Sequence, residues 1–397
     1  MGQNVASEGK QEGKGPCQVP IVEKKSTRPP QLTFSLHDLP HLPTTLSFGQ
    51  SLCIGEELLI CGGCNNNNCY SYNIPKQQYK WICSYPNETI LSAHIVVSYE
   101  VNDLTMKGTT LLSFGGRMNR IPYHSLLMNY QSVWNDNLSV CSQQGGSVGA
   151  IVNEWRPLPG NMCIGKKEEH NLFGARAIVS GSKKKLLFIT RHNDIDVLNL
   201  DTFDYLSNMK AYRLPLGFTV SHAPPYHCLV PSDENEFILI REDRSVLVSF
   251  NENTQEFTFH PLPLCSHLKS CYGYMCIKVN QYLFILGGRG LASTPNHCTK
   301  TIYVYSINER KWSLCDFSLP FMVTNCALVS SDHHSTVHII GGVDHVHQPL
   351  STHFMLQIKG EHTKKNIQMV VQHWWRKCRI KKIGWIKEFN SIVINFL

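Results

Sequence analysis

Four stretches of this chain end an apolar run on two glycines: Leu59-Ile60-Cys61-Gly62-Gly63, Leu111-Leu112-Ser113-Phe114-Gly115-Gly116, Leu283-Phe284-Ile285-Leu286-Gly287-Gly288 and His338-Ile339-Ile340-Gly341-Gly342. The first two pairs lie 53 residues apart and the last two 54. Between them, Leu186-Leu187-Phe188-Ile189-Thr190 and Phe237-Ile238-Leu239-Ile240 have the same shape without the glycines, which makes six runs. A fixed period of this size marks a repeat array, in which each unit buries its apolar face against the next. The 397 residues would otherwise suggest two or three domains. Repetition favours one closed structure.

Each run leads to a second strand and then to a third that finishes on an aromatic residue and a proline. Tyr70-Ser71-Tyr72-Asn73-Ile74 leads to Trp81 and Pro86, and Ile302 to Ile307 leads to Trp312 and Pro320. Ile195 to Leu200 leads to Tyr212 and Pro215, and Val246 to Phe250 leads to Phe257 and Pro261. The second run carries a longer insertion, Met118 to Asn153, before Trp155-Arg156-Pro157-Leu158-Pro159. Short strands with turn residues at this spacing indicate an antiparallel all-β array.

Gly-Gly after an apolar strand, an aromatic in the next strand and a Trp further on resemble the kelch repeat, whose period is about 50 residues with one four-stranded blade each. The resemblance covers residues 31–358 and implies a six-bladed β-propeller. Paired glycines allow positive φ and close strand approach, while Tyr and Trp fill the wedge between blades. The sixth repeat lacks a closing aromatic-plus-Pro strand. Leu32-Thr33-Phe34-Ser35-Leu36-His37-Asp38-Leu39-Pro40 supplies a segment that reads like Trp312 to Pro320. It is expected to form the outer strand of the last blade and so remove the open edges.

The net charge of +7 belongs to the ends. Residues 1–30 carry +2, residues 359–397 carry +7, and the 328 residues between them carry −2. A nucleic-acid-binding domain places its basic stripe on the folded body, so no nucleic-acid partner is expected. No apolar window is long enough for a membrane-spanning helix. Residues 1–30 lack the apolar core of a secretory signal, which predicts a cytoplasmic protein whose sixteen cysteines stay as free thiols.

Catalytic patterns are absent: there is no P-loop, dinucleotide fingerprint, nucleophile elbow or His-Glu-x-x-His. The sequence therefore predicts a non-catalytic protein-interaction scaffold without a cofactor. The alternative is an enzyme hosted on the propeller, galactose-oxidase-like or with another His/Tyr site near the central channel, since propellers serve both uses. Cys61, Cys64 and Cys69 supply half of a zinc pattern with no second pair. His333, His334, His338, His345 and His347 cluster in the sixth repeat but are accounted for by strands and loops. No metal site is assigned.

Placed after the six runs, the next residues are Cys64, Arg117, Arg191, Arg241, Arg289 and Val343. In kelch adaptors this turn opens on the face that holds peptide ligands. Arg117, Arg191, Arg241 and Arg289 are thus candidate partner-binding residues for an acidic peptide or other carboxylate-rich partner, through bidentate bonds.

The ends carry their own signals. Met1-Gly2-Gln3-Asn4-Val5-Ala6-Ser7 resembles an N-myristoylation sequence with Gly2 as the acceptor, though Ala6 departs from the preferred Ser or Thr. One such chain needs a second membrane signal. From Asn366 to Lys382 the apolar residues recur at helical spacing beside clustered Arg and Lys. Val371, Gln372, Arg376 and Lys381 resemble the spacing of an IQ motif, with Lys377 and Gly384 departing from it, and together with Trp374 are the candidate tail-binding residues. A basic amphipathic helix suits a calmodulin-like protein or a membrane surface; packing on the propeller is the third reading. The expected layout is a flexible segment (1–30), the ring (31–358) and a short helical tail (359–397), cytoplasmic or peripheral to a membrane.

Overall fold

The computed structural model describes residues 32–100, 108–116, 124–135, 153–165, 172–191, 194–215, 227–241, 244–268, 271–290, 300–331 and 335–360. Gly2, the remainder of the first thirty residues and the tail beyond Gly360 lie outside them, so the acylation, IQ-like and helical-tail expectations fall there. No described helix is long and apolar enough to cross a membrane.

The fold is all-β, with six antiparallel sheets set in a ring as a six-bladed propeller. The chain starts with β1 (Leu32–Asp38) and then builds blade one from β2 (Gln50–Ile54), β3 (Glu57–Gly63), β4 (Asn66–Asn73) and β5 (Gln78–Ser84). Blade two is β6 (Ile95–Tyr99), β7 (Thr109–Gly115), β8 (His124–Tyr130) and β9 (Arg156–Pro157). Blade three has β10 (Arg176–Ser180), β11 (Leu186–Thr190) and β12 (Ile195–Asn199). Blade four has β13 (Cys228–Asp233), β14 (Glu236–Ile240), β15 (Ser245–Asn251) and β16 (Glu256–Leu262). Blade five has β17 (Cys271–Val279), β18 (Tyr282–Gly290), β19 (Thr301–Ser306) and β20 (Lys311–Ser318). Blade six joins β21 (Ala327–Ser330), β22 (Thr336–Ile340) and β23 (His353–Gly360) to β1.

The closing strand falls where the sequence puts it. β1 pairs antiparallel with β23, from Leu32 opposite Gly360 to Asp38 opposite Phe354. β23 thereby takes in Lys359 and Gly360, two residues assigned to the tail on sequence.

The apolar runs are second strands, not first. An inner strand precedes each one, and these inner strands touch in cyclic order from β2 through β6, β10, β13, β17 and β21 back to β2. The reason is burial. β3 is buried along its whole length because blades cover both its faces, which gives a continuous apolar run rather than alternation. β2 and β10 are only half-buried throughout and so leave a weaker pattern. β8 lies inside the stretch read as an insertion. Among the described residues blade three has no regular outer strand: the stretch from Tyr205 to Arg213 contributes only isolated bridges, Asp194–Arg213 and Leu198–Tyr205. Its segment instead crosses to blade four, where Lys210 N donates to Gln255 O at 2.8 Å.

Six apolar clusters hold the ring, one at each seam between neighbouring blades. Each fully buried Leu, Ile or Phe contributes about 1.5–3 kcal/mol, so the seams, more than the blades, carry the core. Gly341 shows why the pairs are needed. Its φ is +61°, and a Cβ there would lie 2.5 Å from Leu46 O, the atom that accepts a hydrogen bond from Gly342 N.

Candidate functional site

The loop between β22 and β23 rises on the face where the second strands end. Bridges Thr324–Val343 and Val343–Pro349 form its stem. Asp344 Oδ1 accepts from Val346 N at 2.9 Å and Gln348 N at 2.8 Å, which fixes the tip. The tip holds His345, Val346 and His347 out in solvent. Arg289, half-buried at the end of β18, donates from Nη1 to His347 Nε2 at 2.6 Å.

Beside this contact a groove of about 460 Å³ opens between blades five and six. Phe321, Met322, Leu350 and Phe354 form its apolar floor, with Phe321 and Phe354 stacked at 4.3 Å between centroids. Lys300, Asp344 and His345 stand on its rim. The Lys300 ammonium has no hydrogen-bond or ion-pair partner among the described residues. The volume and the mix of apolar wall with few polar groups suit a small ligand or a peptide side chain.

The register separates the four candidate arginines. Counting five residues from the first paired residue of the second strand (Glu57, Thr110, Leu186, Glu236, Tyr282) gives Gly62, Gly115, Arg191, Arg241 and Gly287. Arg191 and Arg241 therefore replace the first glycine of the pair and sit two residues ahead of Arg289's position. Both form tight hairpin corners, Arg191 N donating to Asp194 O and Arg241 N to Arg244 O. Arg191 is committed to Asp196 through Nη2–Oδ1 at 3.0 Å and Nε–Oδ2 at 2.8 Å. Arg241 is buried. Arg117 lies outside the described residues.

The metal-like spacings disperse. Cys61 and Cys69 are buried partners across β3 and β4, Trp155 Nε1 donates to Cys69 Sγ at 3.4 Å, and Cys64 sits apart on the turn. Burial pushes the Cys69 thiol well above its ordinary range, which makes it an unreactive core group. His338 is buried at a seam, far in role from exposed His345 and His347; His333 and His334 lie outside the described residues. Among the described residues no three His, Cys, Asp or Glu are placed to hold a metal ion. The expectation of uniformly free thiols fails at Cys271, which is disulfide-bonded.

Sequence reasoning missed buried histidines that tie blade to blade. His94, just before β6, bonds through Nε2 to Cys61 O at 2.9 Å, and His227, just before β13, bonds through Nε2 to Thr190 Oγ1 at 2.7 Å. The matching strings His94-Ile95-Val96-Val97 and His227-Cys228-Leu229-Val230 were the available signal. Burial lowers His94 to about 4.

Ring, seams and loop face together define a six-bladed β-propeller. No protein-family description and no curated protein matches the chain. Among solved structures it is similar to the one titled "Structure of YjhT", a propeller-type protein, with a TM-score of 0.56 and 12% identity over 81% of this chain and 99% of that one. That likeness extends to the fold.

Proposed function

We propose that this chain is a kelch-type propeller acting as a non-catalytic interaction scaffold in the cytoplasm, gripping a carboxylate-bearing, partly aromatic peptide of a partner protein on the loop face of blades five and six. The observation that supports the reading is the groove. An apolar floor of Phe321, Met322, Leu350 and Phe354 lies beside the Lys300 ammonium, which has no partner among the described residues, and the loop on its rim reaches the Arg289 guanidinium through His347. Two cations beside an aromatic floor favour a carboxylate next to an apolar side chain, through charge-assisted bonds worth about 1.5–3 kcal/mol each.

The test is fluorescence anisotropy with a labelled peptide of alternating Glu and Phe. Lys300→Ala should weaken binding about tenfold or more, and Arg289→Ala should do likewise. Lys183→Ala, on an exposed turn of blade three, serves as the control. Equal affinity for all four proteins refutes this placement of the site.

A further inference from the structure

The seam that closes the ring, between blades six and one, contains a buried polar row inside an otherwise apolar cluster. His338 Nδ1 and His353 Nε2 are 2.9 Å apart, and His353 Nδ1 and Tyr79 Oη are 2.6 Å apart. Tyr72 packs edge-on against His353 with centroids at 4.6 Å. Both imidazoles are fully buried. Around them lie Leu58, Ile60, Val329 and Ile340.

The protons in such a row run one of two ways. Either Tyr79 donates to His353 and His353 to His338, or His338 donates to His353 and His353 to Tyr79; both directions need a neutral His353, and the first needs a neutral His338 as well. The far end is unmet in either case, because His338 Nε2 is buried without a partner among the described residues. The titratable groups facing the pair are Tyr72 from β4, Tyr79 from β5 and Cys53 from β2, none of them an anion at neutral pH. His37 and Asp38 of β1 stand on the exposed edge. A proton added here would be a buried cation with no counter-charge, which is costly.

We propose that the His338–His353–Tyr79 row is an acid-sensitive latch on ring closure, neutral when blades six and one are joined and protonated when they part. Location makes it a latch. β22 and β23 carry the pair, and β23 pairs with β1, so this seam adjoins the strand pair that shuts the ring. Burial lowers His338 from 6.5 to about 4, and burial with repulsion from His338 lowers His353 to about 3. Below about pH 6.5 an opened seam takes up protons that the closed seam refuses, so opening grows up to tenfold per pH unit for each ring. Above that pH the row adds no dependence. The inference stands independently of the peptide-binding reading.

Amide hydrogen exchange on the full chain, corrected for intrinsic rates, tests it between about pH 7 and about pH 5. Protection of β1, β22 and β23 should fall roughly a hundredfold or more beyond that of β17 and β18, and His338→Gln should shrink the difference by about tenfold or more, to the share of one ring. Ring-carbon NMR of the wild-type protein keeps the test open should that variant not fold: both rings should stay neutral while the seam amides remain protected. A ring that titrates near its free value with β1 still protected, or a seam no more acid-labile than β17 and β18, overturns the proposal.

Discussion

Phe34 stacks on Phe317 with ring centroids 5.4 Å apart and 12° between planes, so the strand that completes blade six is also pinned to blade five. Phe34 meets Phe284 edge-on as well. Phe34→Ala should cost about 2 kcal/mol, below the ~3–5 kcal/mol of a fully buried ring because this one is half-buried. Urea unfolding reads that loss. Removing residues 32–38 should lower the melting temperature of the entire ring in one transition, and an unchanged melt would show that β1 does not close it.

Arg191 and Asp196 form a shielded pair in blade three, with side chains 11% and 12% exposed. Removing Asp196 leaves the shielded Arg191 guanidinium with a longer ion pair, to Asp194 Oδ2 at 3.8 Å. Asp196→Ala should therefore destabilise by about 3–5 kcal/mol, whereas the double change Arg191→Met with Asp196→Leu should be nearly neutral. Denaturant midpoints of the wild type, Asp196→Ala and the double change decide it; a double change that loses as much as Asp196→Ala would mean that the pair is not coupled.

Gly341→Ala should lower stability by at least about 1–3 kcal/mol, from left-handed backbone strain together with the clash at Leu46 O. Gly55→Ala is the contrast. It shares a positive φ, but nothing lies within 4 Å of the added carbon, so only the strain should be felt. Equal losses would remove the close approach from the account.

Stability should fall as pH drops below about 6.5 and stay level just above it. His124 is held at about 3 by burial and by repulsion from His94, and its Nε2 lies 2.8 Å from Ser113 Oγ. Because the folded values lie below the free one, unfolding takes up protons, and each such ring costs up to about 1.4 kcal/mol per pH unit. His124→Gln should make the slope shallower by that amount. A slope unchanged by the substitution would place His124 in solvent.

What the sequence revealed and what it concealed follow one rule. Second strands are covered on both faces, so Leu283 to Leu286 and their counterparts read as unbroken apolar runs. Phe34 could be matched to Trp312's strand because closure demands a partner for β23. The inner strands were hidden, since half-buried residues such as Gln50 and Ser51 carry no strong pattern. At the site, Arg289 was legible from its place after Gly288. Lys300 and Phe354 were not, because the groove is assembled by loops from two blades that no local window joins. Arg191 and Arg241 misled because a run without glycines offers no mark for its end, and only strand register supplies one.

Leu32 faces Gly360 across a single pair of strands. The described residues therefore begin and end at a shared point on the wheel's rim, where the flanking segments join it. Two weak attachments borne by those flanking segments would act as one bivalent tether, with the second contact made at high effective concentration once the first had formed. A surface that held both would also orient the disc, because the anchor point fixes which edge of the propeller is turned toward it.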